Sequence, residues 1–103
     1  MSEATRYRTL DEFYGFYLGE HRDRTCRRLH FIGTSLSLSL LLAAVAARSG
    51  WLLLLAPLQA YALAWIGHFF FEHNRPATFT YPLLSLRGDW RMWWEILTGK
   101  IPF

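Results

Sequence analysis

Two long apolar runs dominate the chain, and almost nothing separates them. Leu29 to Ala47 and Trp51 to Phe71 are joined by Arg48-Ser49-Gly50, and neither run contains Asp, Glu, Lys or Arg. The runs hold 19 and 21 residues. As helices they would be roughly 28 and 32 Å long, close to the hydrocarbon thickness of a bilayer. In a soluble protein both would need cover on every side from flanks that are rich in charge. The alternation Ser35-Leu36-Ser37-Leu38-Ser39-Leu40 imitates a strand, but an isolated strand cannot cross lipid with its backbone unpaired. The pattern therefore predicts an all-α membrane protein, a two-span helical hairpin over about 29–47 and 51–71.

The flanks predict an amphipathic interfacial helix on each side of the hairpin, within a single membrane domain covering 1–103. Thr9-Leu10-Asp11-Glu12 has the form of a capping box, which starts a helix over about 9–20. Phe13, Phe16 and Tyr17 give it an aromatic face, suited to the interface or to packing over the hairpin's end. After Pro76 the chain should stay extended or turning through Pro82. A second, tryptophan-rich helix is expected over about 89–98, with Asp89 as its N-cap and Gly99 as its terminator. Within the first span Gly33, Ser37 and Ala44 form a small-residue face for close helix contact. Pro57 removes one backbone hydrogen bond from the second span, which a transmembrane helix tolerates.

Charge sets the expected orientation. The net charge is +3, with six arginines before the first run (Arg6, Arg8, Arg22, Arg24, Arg27, Arg28) and four cations after the second (Arg75, Arg87, Arg91, Lys100). Arg48 alone occupies the loop. That asymmetry places both termini on the cytoplasmic side, and the arginines suit anionic headgroups better than nucleic acid. Ala44-Val45-Ala46 resembles a signal-peptide cleavage site, but the charged, aromatic leader before the run is too long for one, so the span is expected to be retained. Cys26 is the single cysteine, so it has no internal disulfide partner.

The hairpin decides which of the four histidines can meet. His30 lies within one turn of the arginine-marked interface, and His68 about two turns, or roughly 10 Å, inside it. His21 lies upstream of the span and can fold back over the same end. Glu72 follows His68 by four residues and shares its face in an α-helix. Imidazoles and a carboxylate at this depth need partners. One solution is iron(II) held by histidines and a carboxylate with positions left open for oxygen chemistry. The other is structural: Glu72 pairs with Arg75 or an upstream arginine while His30 and His68 hydrogen-bond across the helices. His73, off that face, reads as a solvated surface group.

Several segments carry a resemblance. His21-Arg22-Asp23-Arg24-Thr25-Cys26-Arg27-Arg28-Leu29-His30, then Gly67-His68-Phe69-Phe70-Phe71-Glu72-His73-Asn74-Arg75-Pro76, then Tyr81-Pro82 and Gly88-Asp89-Trp90-Arg91-Met92 resemble short bacterial members of a membrane family. Its characterised relatives are the yeast-type 2-hydroxy-fatty-acid dioxygenases. The likeness runs from about Leu10 to Gly99. It implies an iron(II)-dependent enzyme, in a bacterial inner membrane, that uses O2 to shorten a 2-hydroxy fatty acid by one carbon in α-oxidation.

Carried over by position, His21, His30 and His68 match the family's histidine motifs and would ligate Fe(2+). Glu72 matches the Phe-Glu of the same pattern, as a ligand and catalytic group. In such an enzyme the substrate carboxylate would meet Arg75 or another interfacial arginine. Cys26 stands where Asn is usual. The longer relatives have further hydrophobic segments and an Asp-His pair between the two motifs. Here three loop residues stand in their place, and a homodimer or larger membrane complex could supply a missing group. The alternative function is a non-enzymatic accessory subunit or a lipid-binding membrane protein.

Overall fold

A computed structural model describes residues 6–103. Within them the chain is all-helical, with four α-helices: α1 (Leu10–Gly19), α2 (Arg24–Ala47), α3 (Gly50–Ile66) and α4 (Pro82–Leu97). α3 runs on into a wider π-helical turn, Gly67–Glu72, and a 3₁₀ turn, Ala77–Phe79, leads into α4.

Local chemistry explains most of the boundaries. The Thr9 side chain accepts a hydrogen bond from the Glu12 amide and starts α1. Asp23 caps α2 by accepting from the Cys26 amide at 2.9 Å. α2 therefore begins five residues ahead of the apolar run, which marks only its apolar portion. Arg48, left-handed at φ 51°, ends α2, and Ser49 caps α3. Gly99 closes α4 at φ 83°, as a helix-terminating glycine does.

The start of α4 also differs from expectation. α4 starts at Pro82, so Asp89 lies in mid-helix and is no cap. Proline at the first helical position has its φ already set and lacks an N–H that would go unpaired there. Gly88, which weakens a helix locally, is tolerated because the Tyr17 ring packs against it.

α2 and α3 run antiparallel in close contact. Gly33, Ser37 and Ala44, the small-residue face, are all buried. Ser37 Oγ donates to the Ala56 carbonyl at 2.6 Å, and Gln59 Nε2 donates to the Gly33 carbonyl at 2.7 Å. At the other end Gly67 lies directly on Cys26. A Cβ there would sit 3.0 Å from Cys26 Sγ and 3.1 Å from its Cα, so only glycine allows the two backbones this close.

The aromatic face of α1 packs against α4 and the Tyr81 turn. Phe13, Tyr14, Tyr17, Tyr81, Met92 and Ile96 form a buried cluster. Tyr14 donates to Glu95 at 2.5 Å, and Arg91 lies over the Tyr14 ring at 4.0 Å. Trp93 ties α4 to α2 by donating to Ser35 at 2.9 Å. This assembly closes over one end of the α2–α3 pair, where the histidines lie.

Candidate metal centre

Three elements each deliver one buried histidine. His21 comes from the loop between α1 and α2, His30 from the first turns of α2, and His68 from the π turn after α3. Their rings meet edge to face, with centroids 4.5, 4.6 and 4.9 Å apart. One nitrogen of each lies within 4.8 Å of the other two.

Each ring is oriented through its Nδ1. His21 Nδ1 is 2.6 Å from the Tyr17 carbonyl, and His30 Nδ1 is 2.9 Å from the Cys26 carbonyl. His68 Nδ1 is 2.7 Å from Asn74 Oδ1, whose amide nitrogen donates to the Glu20 carbonyl at 3.0 Å. All three partners are acceptors, so each Nδ1 carries the proton and each Nε2 holds a lone pair. His21 Nε2 and His30 Nε2 are 3.2 Å apart. With neither nitrogen protonated, the two lone pairs repel unless a cation lies between them.

That donor set fits a metal ion. Two nitrogens bound to one ion at about 2.1 Å each sit about 3.0–3.4 Å apart. Neutral imidazole suits zinc, iron, copper and nickel, and anchoring of the remote ring nitrogen is the usual outer-shell arrangement. Burial, then the neighbouring His30 and His68, push the His21 pKa well below its ordinary value. The ring is therefore neutral at pH 7, the form a metal requires.

The local backbone explains the convergence of His68 and Asn74. A π turn, a feature frequent at functional sites, carries His68, and His73 then adopts a left-handed conformation at φ 60°. This reverses the chain and returns Asn74 to His68, with the Asn74 amide donating to the His68 carbonyl at 3.0 Å.

Glu72, expected on the His68 face, lies outside the histidine group. Its carboxylate accepts from the Arg22 amide at 3.2 Å and the Asp23 amide at 2.6 Å. The α-helical i,i+4 stacking does not carry through the π turn. Glu72 instead braces the loop that presents His21. Arg75 is exposed, its guanidinium 5.5 Å over the Phe79 ring, and His73 is exposed.

Two groups went unrecognised in the sequence. Asp89 and Ser85, one turn apart on α4, line a small cavity with the three histidines, about 10 Å³ and enough for about one water-sized group. Asp89 accepts a hydrogen bond from the buried Tyr17 hydroxyl. Burial raises the Asp89 pKa to about 7, against the lowering effect of that bond. Burial, then the Asp89 charge, hold the Tyr17 hydroxyl well above its usual pKa, so it stays a donor. Only the folding of α4 back onto α1 brings these residues here.

A second, larger cavity of about 320 Å³ adjoins the first. The two share His30, Tyr61, Ala64 and Asp89, and the larger one reaches Leu41 and Leu53 between α2, α3 and α4. From His30 to Leu41 is roughly 16 Å along α2. Its walls are mainly small or aliphatic, and no Lys or Arg lines either cavity.

A family model described as 2-hydroxy-palmitic acid dioxygenase Mpo1-like matches residues 7–101. The chain belongs to this family. No curated protein and no solved structure matches it. The Mpo1-like match includes all three histidines, Asn74, Ser85 and Asp89, and the family is the one that the histidine and Gly-Asp-Trp segments resemble.

Proposed function

We propose that this protein is an iron(II)-dependent membrane dioxygenase that shortens a 2-hydroxy fatty acid by one carbon, with His21, His30 and His68 as the metal ligands. The observation that carries this reading is the 3.2 Å approach of two unprotonated Nε2 atoms beside a third buried histidine. When bound, iron(II) supplies the capacity to activate O2. The chain's own groups do the rest. Tyr17, Cys26 and Asn74 hold the imidazoles in the ligating tautomer. The apolar cavity takes the acyl chain and keeps water from it, while Tyr61 and Asp89 sit where the two cavities join. Its volume is within the usual range for small-molecule sites.

The test is metal analysis of the purified full chain after anaerobic iron loading, followed by aerobic incubation with 2-hydroxypalmitic acid. About one iron per chain and an O2-dependent product one carbon shorter are expected. A protein that takes up no stoichiometric metal would be an accessory or lipid-binding subunit instead.

The same reading places α2 and α3 across the membrane. α2, and α3 together with the π turn that continues it to Glu72, are long and apolar enough, and most of their apolar surface is left uncovered. Val45, Phe70 and Trp51 are 78%, 69% and 69% exposed, a surface suited to lipid. With arginines around the histidine end, the Arg48-Ser49 loop faces away from the cytoplasm. A cysteine replacing Ser49, in a Cys26→Ala background, should be labelled by an impermeant thiol reagent added to intact cells. Labelling only after the cells are opened would reverse the orientation.

A further inference from the structure

Ser85 is 2% exposed, and its hydroxyl has no hydrogen-bond partner among the described residues, although it lies on the wall of the small cavity. A buried hydroxyl left unpaired destabilises a fold, and such a group beside a candidate site points to a ligand that completes it. One turn further along α4, Asp89 faces the same cavity, with one carboxyl oxygen engaged by the Tyr17 hydroxyl and the other available. Asp89 also lines the apolar cavity, with His30, Tyr61 and Ala64 shared between the two. Polar groups are thus concentrated at one end of the compartment and apolar walls at the other, which matches a single-chain amphiphile with a polar head.

We propose that Ser85 and Asp89 form a head-recognition subsite that binds the 2-hydroxyl of the fatty acid and so selects hydroxylated over plain chains. This rests on the dioxygenase reading above. Asp89 accepts the hydroxyl proton in a hydrogen bond, and the Ser85 hydroxyl gains its missing partner on the same head. No cation lines this end, so the acidic group of the substrate is turned away from Asp89 and toward the histidines. The plain fatty acid fills the apolar cavity equally well and leaves both α4 groups unpaired. A site built to hydrogen-bond a hydroxyl discriminates strongly against the analogue that lacks it.

The experiment is anaerobic binding of 2-hydroxypalmitic and palmitic acid to the iron-loaded full chain in detergent, read by tryptophan fluorescence. Trp90 lines the large cavity and Trp65 the small one. The hydroxylated acid should bind wild type about tenfold or more tightly than the plain acid. Ser85→Ala and Asp89→Asn should each bring that ratio close to one, with iron content and palmitic acid affinity unchanged. Ser85→Ala should also melt no lower than wild type, since it deletes an unpaired group. Retention of the wild-type ratio in both variants overturns the subsite, as does loss of iron from Asp89→Asn, which would assign Asp89 to holding the metal, directly or through Tyr17 and His21. If the wild type makes the shortened product while the variants keep the ratio, the subsite fails and the dioxygenase reading stands. If the wild type holds no iron and prefers neither acid, both fall.

Discussion

Replacing His68 with alanine is expected to leave purified protein without stoichiometric metal and without O2-dependent conversion of a 2-hydroxy fatty acid, while its helix content stays at the wild-type level. His68 supplies one of the three converging ring nitrogens, and its loss leaves only two. The apolar runs that form α2 and α3 do not involve it. Losing an outer-shell partner typically costs 10–100-fold in metal affinity. Asn74→Ala, which frees the His68 Nδ1, should thus fall in about that range, and His68→Ala beyond it. His73→Asn is the control: His73 is exposed and left-handed, a conformation Asn adopts readily. Elemental analysis of the three variants beside wild type makes the comparison. Full metal occupancy in His68→Ala would remove the metal centre, and with it the enzymatic reading.

Gly88→Ala is expected to destabilise the fold by about 1–3 kcal/mol through overpacking and to weaken metal binding about 10–100-fold through the outer shell of His21. The added methyl would sit 2.9, 3.0 and 3.2 Å from three atoms of the Tyr17 ring. That ring has nowhere to retreat. It stacks on His21 at a centroid distance of 4.0 Å, packs beside Phe13 and Tyr14, and is held at its hydroxyl by Asp89. Moving it shifts the carbonyl that orients His21 Nδ1. Gly15 provides the contrast, because a Cβ there meets nothing within 4 Å. Gly15→Ala should stabilise α1 by about 0.5–1 kcal/mol and leave metal affinity alone. Thermal melts in detergent and iron titration of both variants decide it. A Gly88→Ala protein with wild-type melting and affinity would mean that the α1–α4 contact does not position His21.

The local rules read from the chain and the tertiary packing divide this protein between them. Run lengths specify α2 and α3, because a helix of given length and apolarity follows from composition over twenty residues. Thr9 and Gly99 mark helix ends for the same reason: a cap acts through bonds to amides or carbonyls a few positions away. The small-residue face of Gly33, Ser37 and Ala44 is legible from period alone, and so is the arrival of His30 and His68 at one end of an antiparallel pair.

Beyond that, the placement of the two acidic groups depends on contacts distant in sequence. Asp89 reads as a cap beside Gly88. It becomes a buried carboxyl only because α4 begins at Pro82 and folds against Tyr17, 72 positions away in the chain. Glu72 sits at α-helical spacing from His68, but a π turn breaks that stacking and the carboxylate is taken by amides of the α1–α2 loop. The tautomers, by contrast, are set close in sequence, by the carbonyls four residues before His21 and His30 and by the Asn74 side chain six residues after His68, but which rings then face one another is decided by how the elements pack. Periodicity and capping are short-range and therefore visible in sequence. How the three rings meet, which carboxylate faces the site and which hydroxyl lacks a partner are settled by packing between elements, which no local pattern encodes.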